Sequence, residues 1–178
     1  MTDDIIKKHV DAFRKAIDEA KYAGKFDRDF IFCCFPLACC GDTCYLLAEY
    51  LKTKGIDTIY VCGDFDGQTH AWLVVKDERI EGPNKETILI PQKFRSILKK
   101  YGADTCDEYE CIVYKEKNII SGLMIDITGD QFGQSPVYVG YMNDFYRQFN
   151  FCNAHDYYGF GNSRLENLYN IINDYAKG

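Results

Sequence analysis

Three residue types at particular places in the chain suit amide chemistry: Cys40, His70 and Asp126. A thiol that attacks a carbonyl must be held as thiolate, an imidazole must move the protons, and a third polar group must orient that imidazole. Cys40 stands immediately before a helix expected to start near Gly41, where unpaired N–H groups and the helix dipole favour negative charge. Cys44 lies one turn further in on the same side, where packing suits it better. His70 is expected to open a strand after a turn, and Asp126 to lie near the end of another, in IDITGDQF. Neighbouring strands run about 4.8 Å apart, so two such side chains on one face can join as an imidazole–carboxylate pair. A helix packed on that sheet can bring Cys40 to the other ring nitrogen, an arrangement that spacing alone does not fix. Asp126 falls within an apolar strand pattern, where an unpaired carboxylate is costly, whereas Asp130 follows Gly129 and suits a turn. The Cys40 backbone N–H is placed to stabilise an oxyanion. Gln131, Gln134 and Thr69 stay open as its second donor. Trp72, the one tryptophan, and Gln131 are the candidate substrate-binding residues, with core packing the competing role for Trp72.

The elements that must position these groups follow from periodicity. Residues 3–23 read as an amphipathic helix, with Ile6, Val10, Phe13, Ile17 and Ala20 on one stripe, Thr2 available as cap and His9 facing solvent. The run Phe30 to Cys34, ended by Pro36, suits a buried extended segment. A second helix spans about Gly41 to Lys54, with Leu46, Leu47, Tyr50 and Leu51 as its buried face and Gly55 as its stop. Residues 57–62 and 70–76 read as strands joined by the turn GDFDGQ. A helix is expected from Pro91 through Lys100, then strands over 109–115 and 119–127. A C-terminal helix opens on a Ser163–Glu166 capping box, with Leu165, Leu168, Ile172 and Tyr175 on one face. The order describes an α+β domain: an antiparallel sheet carrying the histidine and aspartate, packed on the helix that presents the cysteine.

The stretch CGDTCYLLAEYLKTKGI…YVCGDFDGQTHAW resembles the core of the transglutaminase-like superfamily, which has a papain-like fold. There a cysteine opens a helix, a Gly-Ile pair closes it, a strand ending in V-x-G follows, and then H-A-W. Papain-like transglutaminase domains and the leader peptidases of lasso peptides share this pattern, and FPLACCGD is similar to the lead-in of bacterial members. The family nucleophile sits about four helical turns, at ~3.6 residues each, before the closing glycine. Cys40 is 15 residues before Gly55 and Cys44 only 11, so that register selects Cys40. IDITGDQF resembles the family's I-D-x-T segment, whose aspartate is the third member. The resemblance implies a Cys40–His70–Asp126 triad acting on an amide or peptide bond, with hydrolysis favoured over transamidation. Protein, peptide or small-amide substrates and no cofactor are expected. His70 and Asp126 lie 56 residues apart where the family needs a short hairpin, so residues 82–118 read as an insertion into a single domain spanning 1–178. Without that insertion, Glu81 or Glu78 would be next in line to orient His70.

Composition bounds the alternatives. A formal charge of −6 and a pI near 5.1 argue against nucleic acid. The nearest basic patch, Lys93, Arg95, Lys99 and Lys100, reads as the solvated face of one helix. A polar, acidic N-terminus and the lack of a long apolar run suggest a cytoplasmic protein without membrane attachment. Nine cysteines, five of them within residues 33 to 44, suggest reduced thiols. They lack the paired CxxC spacing of a zinc or iron–sulfur site. A thiol-rich metal or redox protein and a non-catalytic binding module are the rival classes. His155, in NAHDYYGFG, is expected to be structural. The aromatic residues from Tyr138 to Tyr158 are expected to fill a core, or else, with residues 82–118, to cover the site or dock a partner.

Overall fold

The computed structural model describes residues 2–77, 86–89, 110–113 and 121–177. Helix α1 (Asp3–Tyr22) buries Ile6, Val10, Phe13, Ile17 and Ala20, the stripe that the three- and four-residue spacing marks. Helix α2 (Cys40–Lys52) follows, and Gly55 ends it in the left-handed region at φ 74°. Strands β1 (Thr58–Phe65) and β2 (Gln68–Val75) form a hairpin whose two-residue turn is Asp66-Gly67. Both turn residues have positive φ, 52° and 73°, the geometry that Asp-Gly favours because it follows the natural twist of the strands. The remaining strands are β3 (Glu86–Leu89), β4 (Glu110–Val113), β5 (Met124–Asp126), β6 (Tyr138–Gly140) and β7 (Asn150–Asp156). Helix α3 (Ser163–Ala176) closes the described chain.

The protein is α+β. Among the described residues seven strands make one sheet in the order β3-β4-β7-β1-β2-β5-β6, and each of these pairings is antiparallel. Of these strands β2 carries His70 and β5 carries Asp126. Helices α1, α2 and α3 lie on one face, around a core that includes Phe13, Leu46, Leu51, Ala71, Leu73, Ile125 and Leu168. The other face carries Val61, Trp72, Val74 and Met124 and is covered by Tyr146 and Phe149. Alternation along β2 therefore sends Ala71 and Leu73 to the helices, and His70, Trp72 and Val74 to the aromatic side.

Several expectations are corrected. Phe30 to Cys34 is not extended: Phe32–Cys34 forms a single 3₁₀ turn, opened by Asp29 Oδ1 accepting from the N–H groups of Ile31 and Phe32. An Asx-type turn thus outcompetes a short apolar run that has no partner strand. Ser163 is not a cap. Asn162 holds that place, its Oδ1 accepting from Leu165 N at 2.9 Å, so the cap lies one residue earlier and, with Leu165 at the third helical position, no reciprocal capping box forms. Thr2 does precede α1, but its side chain makes no capping bond. His9 is half-buried, its ring edge-on to Tyr50, rather than facing solvent. His70 is the third residue of β2 and does not open it, because the hairpin extends to a tight turn. Of the strand expected over 119–127, Met124–Asp126 forms a strand, Leu123 O accepts from Val75 N at 2.8 Å beside it, and residues 119–120 lie outside the described residues. The helix over 91–100, most of the 82–118 insertion, the residues Lys93, Arg95, Lys99 and Lys100, and Glu78 and Glu81 lie outside the described residues. Among the described residues no helix is long and apolar enough to cross a membrane.

Candidate active site

Cys40 is the first residue of α2, with Cys39 as the flanking cap residue. Its N–H is therefore one of the four at the helix start that have no partner within the helix. The helix packs across β1 and β2. Tyr60 of β1 brings its hydroxyl within 3.6 Å of where a Gly41 side chain would begin. The segment leading into Cys40 is held by Arg164 of α3. Its guanidinium spans Asp29, at 2.8 Å from both Nε and Nη2, and Asp42 in the first turn of α2, at 2.7 Å from Nη1.

His70 faces Gly63 across the hairpin, and Trp72 faces Val61. The pairing Leu73–Ile125 places Asp126 beside Trp72, and thus on the same face as His70. His70 Nε2 donates to Asp126 Oδ2 at 2.8 Å, with both side chains at most 1% exposed. The carboxylate is fully served: Oδ2 also accepts from the Tyr146 hydroxyl at 2.9 Å, while Oδ1 accepts from Thr128 N at 2.8 Å and Thr128 Oγ1 at 3.1 Å. Burial alone would push the Asp126 carboxyl up, but the bond and charge of His70, with Thr128 and Tyr146, hold it below the ordinary range. Burial pulls the His70 imidazole down, yet hydrogen bonds to Asp126 and Cys40 outweigh it and raise its pKa to about 9. With Nε2 committed to Asp126, Nδ1 is the ring nitrogen left to the Cys40 thiol, whose hydrogen bond helps to raise the imidazole. Gln131 Nε2 reaches that same atom at 3.4 Å and donates to Thr128 O at 3.0 Å.

The expected site residues thus divide by location. Cys40, His70, Asp126 and Gln131 converge. Thr69 and Gln134 are exposed, and Thr69 points away from His70 by strand alternation. Trp72 is buried against Tyr146 and Phe149, behind the imidazole, and its indole N–H has no partner among the described residues. Asp130 lies apart from His70 and binds Arg14, Oδ2 to Nη2 at 2.8 Å. Cys44 is buried in the core, where burial pushes its thiol well up, and Cys39 is raised by burial to about 12. The His155 Nδ1 donates to Asp156 O at 2.9 Å and its ring stacks on Tyr60.

Three features were not singled out from the sequence. The first is Tyr146, noticed only as one aromatic among many. The second is an aromatic collar in which Phe132 and Phe149 close over His70, with ring centroids 4.9 and 5.5 Å away. The third is Arg14, which the helical stripe gave no reason to bury. Gly63 makes room for the collar, since a side chain there would begin 2.7 Å from Phe149 Cβ. Among the described residues no group of three or more His, Cys, Asp or Glu side chains is arranged to hold a metal ion. No protein-family model, curated protein or solved structure matches this chain.

Proposed function

We propose that the protein is a cysteine-dependent acyl-transfer enzyme acting on an amide or peptide bond, with Cys40 as nucleophile, His70 as acid–base and Asp126 as the group that orients His70. The observation that carries this reading is a buried imidazole held at both edges. Nε2 is fixed by Asp126 at 2.8 Å, and the other edge is turned to a thiol at a helix N-terminus. A buried histidine that served only packing would have little reason to lie between a carboxylate and a thiol.

In the proposed reaction Cys40 gives its proton to His70 Nδ1 and attacks the carbonyl carbon. The oxyanion is met by the Cys40 backbone N–H and by the Gln131 amide, whose N–H is released from Nδ1 once that atom takes the proton. His70 returns the proton to the leaving amine, which leaves a thioester. Water then completes hydrolysis, or an amine completes transamidation, with hydrolysis the favoured outcome. A nucleophile helix followed by a histidine-bearing hairpin and an aspartate-bearing strand supports kinship with the transglutaminase-like, papain-like enzymes.

Iodoacetamide alkylation of the native protein across pH 5 to 9, with each cysteine followed by peptide mass spectrometry, tests the reading. Cys39, Cys44 and Cys62 are poor competitors, because burial raises each thiol. The exposed Cys34 and Cys152 are the reference thiols, since the hydrogen bond with Cys34 raises the Cys33 thiol. Cys40 is expected to react at least roughly tenfold faster than these below pH 7, and to lose that advantage in His70→Ala. Equal rates at Cys40 and Cys152 would end the proposal.

A further inference from the structure

Tyr146 is not one of the three residues of the proposed reaction, yet its hydroxyl is given over to one of them. Its Oη donates to Asp126 Oδ2 at 2.9 Å, the oxygen that also receives His70 Nε2 at 2.8 Å. Its ring is buried and lies 15° from the plane of the imidazole, with centroids 6.4 Å apart. Trp72, Phe145 and Tyr138 hold the ring at centroid distances of 5.4, 4.9 and 5.2 Å. Packing accounts for the ring, because a phenylalanine would fill the same space. It does not account for the hydroxyl, which would be costly to bury without a partner.

We propose that Tyr146 is a positioning residue of the site: it fixes Asp126 Oδ2 in line with His70 and, by sharing that oxygen, limits how tightly the imidazolium is held. The inference rests on the catalytic reading of Cys40, His70 and Asp126. Two donors on one carboxylate oxygen divide its charge, so each bond is weaker than it would be alone. The effect matters for a group that must release a proton to a leaving amine: an imidazolium bound by the whole charge of the carboxylate is a poor acid. Tyr146 remains a donor throughout the working range, because burial and the Asp126 charge both push its own ionisation upward. The titratable groups around the pair are Asp126 from β5, Cys40 and Cys44 from α2, and Tyr138 from β6. Gln131 faces it as a neutral amide.

The test is an NMR titration of the His70 ring in the full chain, both in wild type and in a Cys40→Ala background. Only three histidines are present, so the signals can be assigned by substitution of His9 and His155. Tyr146→Phe keeps the ring and removes the shared donor, so the His70 midpoint should rise by about half a unit or more. Ile172→Val, in the core of α3, is the control: it should lower stability without moving that midpoint. The alkaline limb of Cys40 alkylation should move with the titration in the Tyr146→Phe protein. A His70 midpoint that stays put or falls in Tyr146→Phe overturns the inference and leaves Tyr146 a packing residue. A midpoint that rises while Cys40 proves inert removes the catalytic reading but keeps the shared oxygen, so the two failures are separable.

Discussion

Arg14 of α1 donates through Nη1 to the carbonyl of Ile127, at 2.7 Å, one residue beyond Asp126. The same guanidinium bonds Pro136 O at 3.1 Å and Asp130 Oδ2 at 2.8 Å, and it lies 4.7 Å from the centre of the Phe35 ring. One buried cation therefore ties the first helix to the segment carrying Asp126, Thr128 and Gln131, and to the loop that leads into Cys40.

Removal of that tie should loosen both sides of the site. Arg14→Met keeps much of the apolar stem but leaves Asp130 and two carbonyls without their donor. The expected cost is about 2 to 3 kcal/mol, less than for a fully enclosed pair because Asp18 and Asp130 keep contact with water. Urea denaturation measures it, and the Cys40 alkylation advantage should shrink in the same protein.

The pair of His70 and Asp126 makes stability depend on pH. A histidine raised in the fold to about 9 contributes stability that is fully present below its unfolded value near 6.5. That contribution is lost as pH rises through about 9. Asp126 is lowered, so its contribution is present above the unfolded carboxyl value and is lost as pH falls into the acid range. Denaturation midpoints should decline from pH 6.5 toward 9, and Asp126→Asn should flatten that decline. An equal slope in wild type and Asp126→Asn would show that other groups cause it.

Gly63 is where the collar around His70 is most sensitive to volume. An alanine would place Cβ 2.7 Å from Phe149 Cβ and 3.2 Å from both Trp72 Cη2 and the Asn150 carbonyl oxygen. Both backbone and ring must then shift, so Gly63→Ala should destabilise by about 1 to 3 kcal/mol. It should also move the indole fluorescence of Trp72. Unchanged fluorescence and stability would mean that β7 yields more readily than its pairing with β1 suggests.

The start of α3 offers a direct choice between two caps. Asn162→Ala removes the side chain that accepts from Leu165 N and should cost about 1 kcal/mol. Ser163→Ala, inside the helix, should change stability little or raise it slightly, because alanine favours helix. Thermal denaturation of the two variants separates the cases, and the reverse order would restore the capping box.

What the sequence by itself determined is local. The apolar stripe of α1, the helix that Cys40 opens and Gly55 ends, and the hairpin turned at Asp66-Gly67 each arise from spacing or turn chemistry within some twenty residues. Those patterns put Cys40 at a helix start and His70 in a hairpin strand, and the resemblance to the transglutaminase-like pattern then marked both as candidates. The tertiary structure alone decided which distant groups meet. β7 lies against β1 although NFCNAHD alternates weakly, because the β1 edge offers unpaired backbone groups and the bulge between Cys62 and Gly63 absorbs a register step. Asp126 lies against His70, and Asp130 against Arg14, though both carboxylates share one short segment. The choice turns on which of them the sheet buries beside a donor, and no local pattern carries that information. Tyr146 and Arg14 follow the same rule. Each is one polar group among many in the chain, and each takes its meaning from a buried partner more than fifteen residues away.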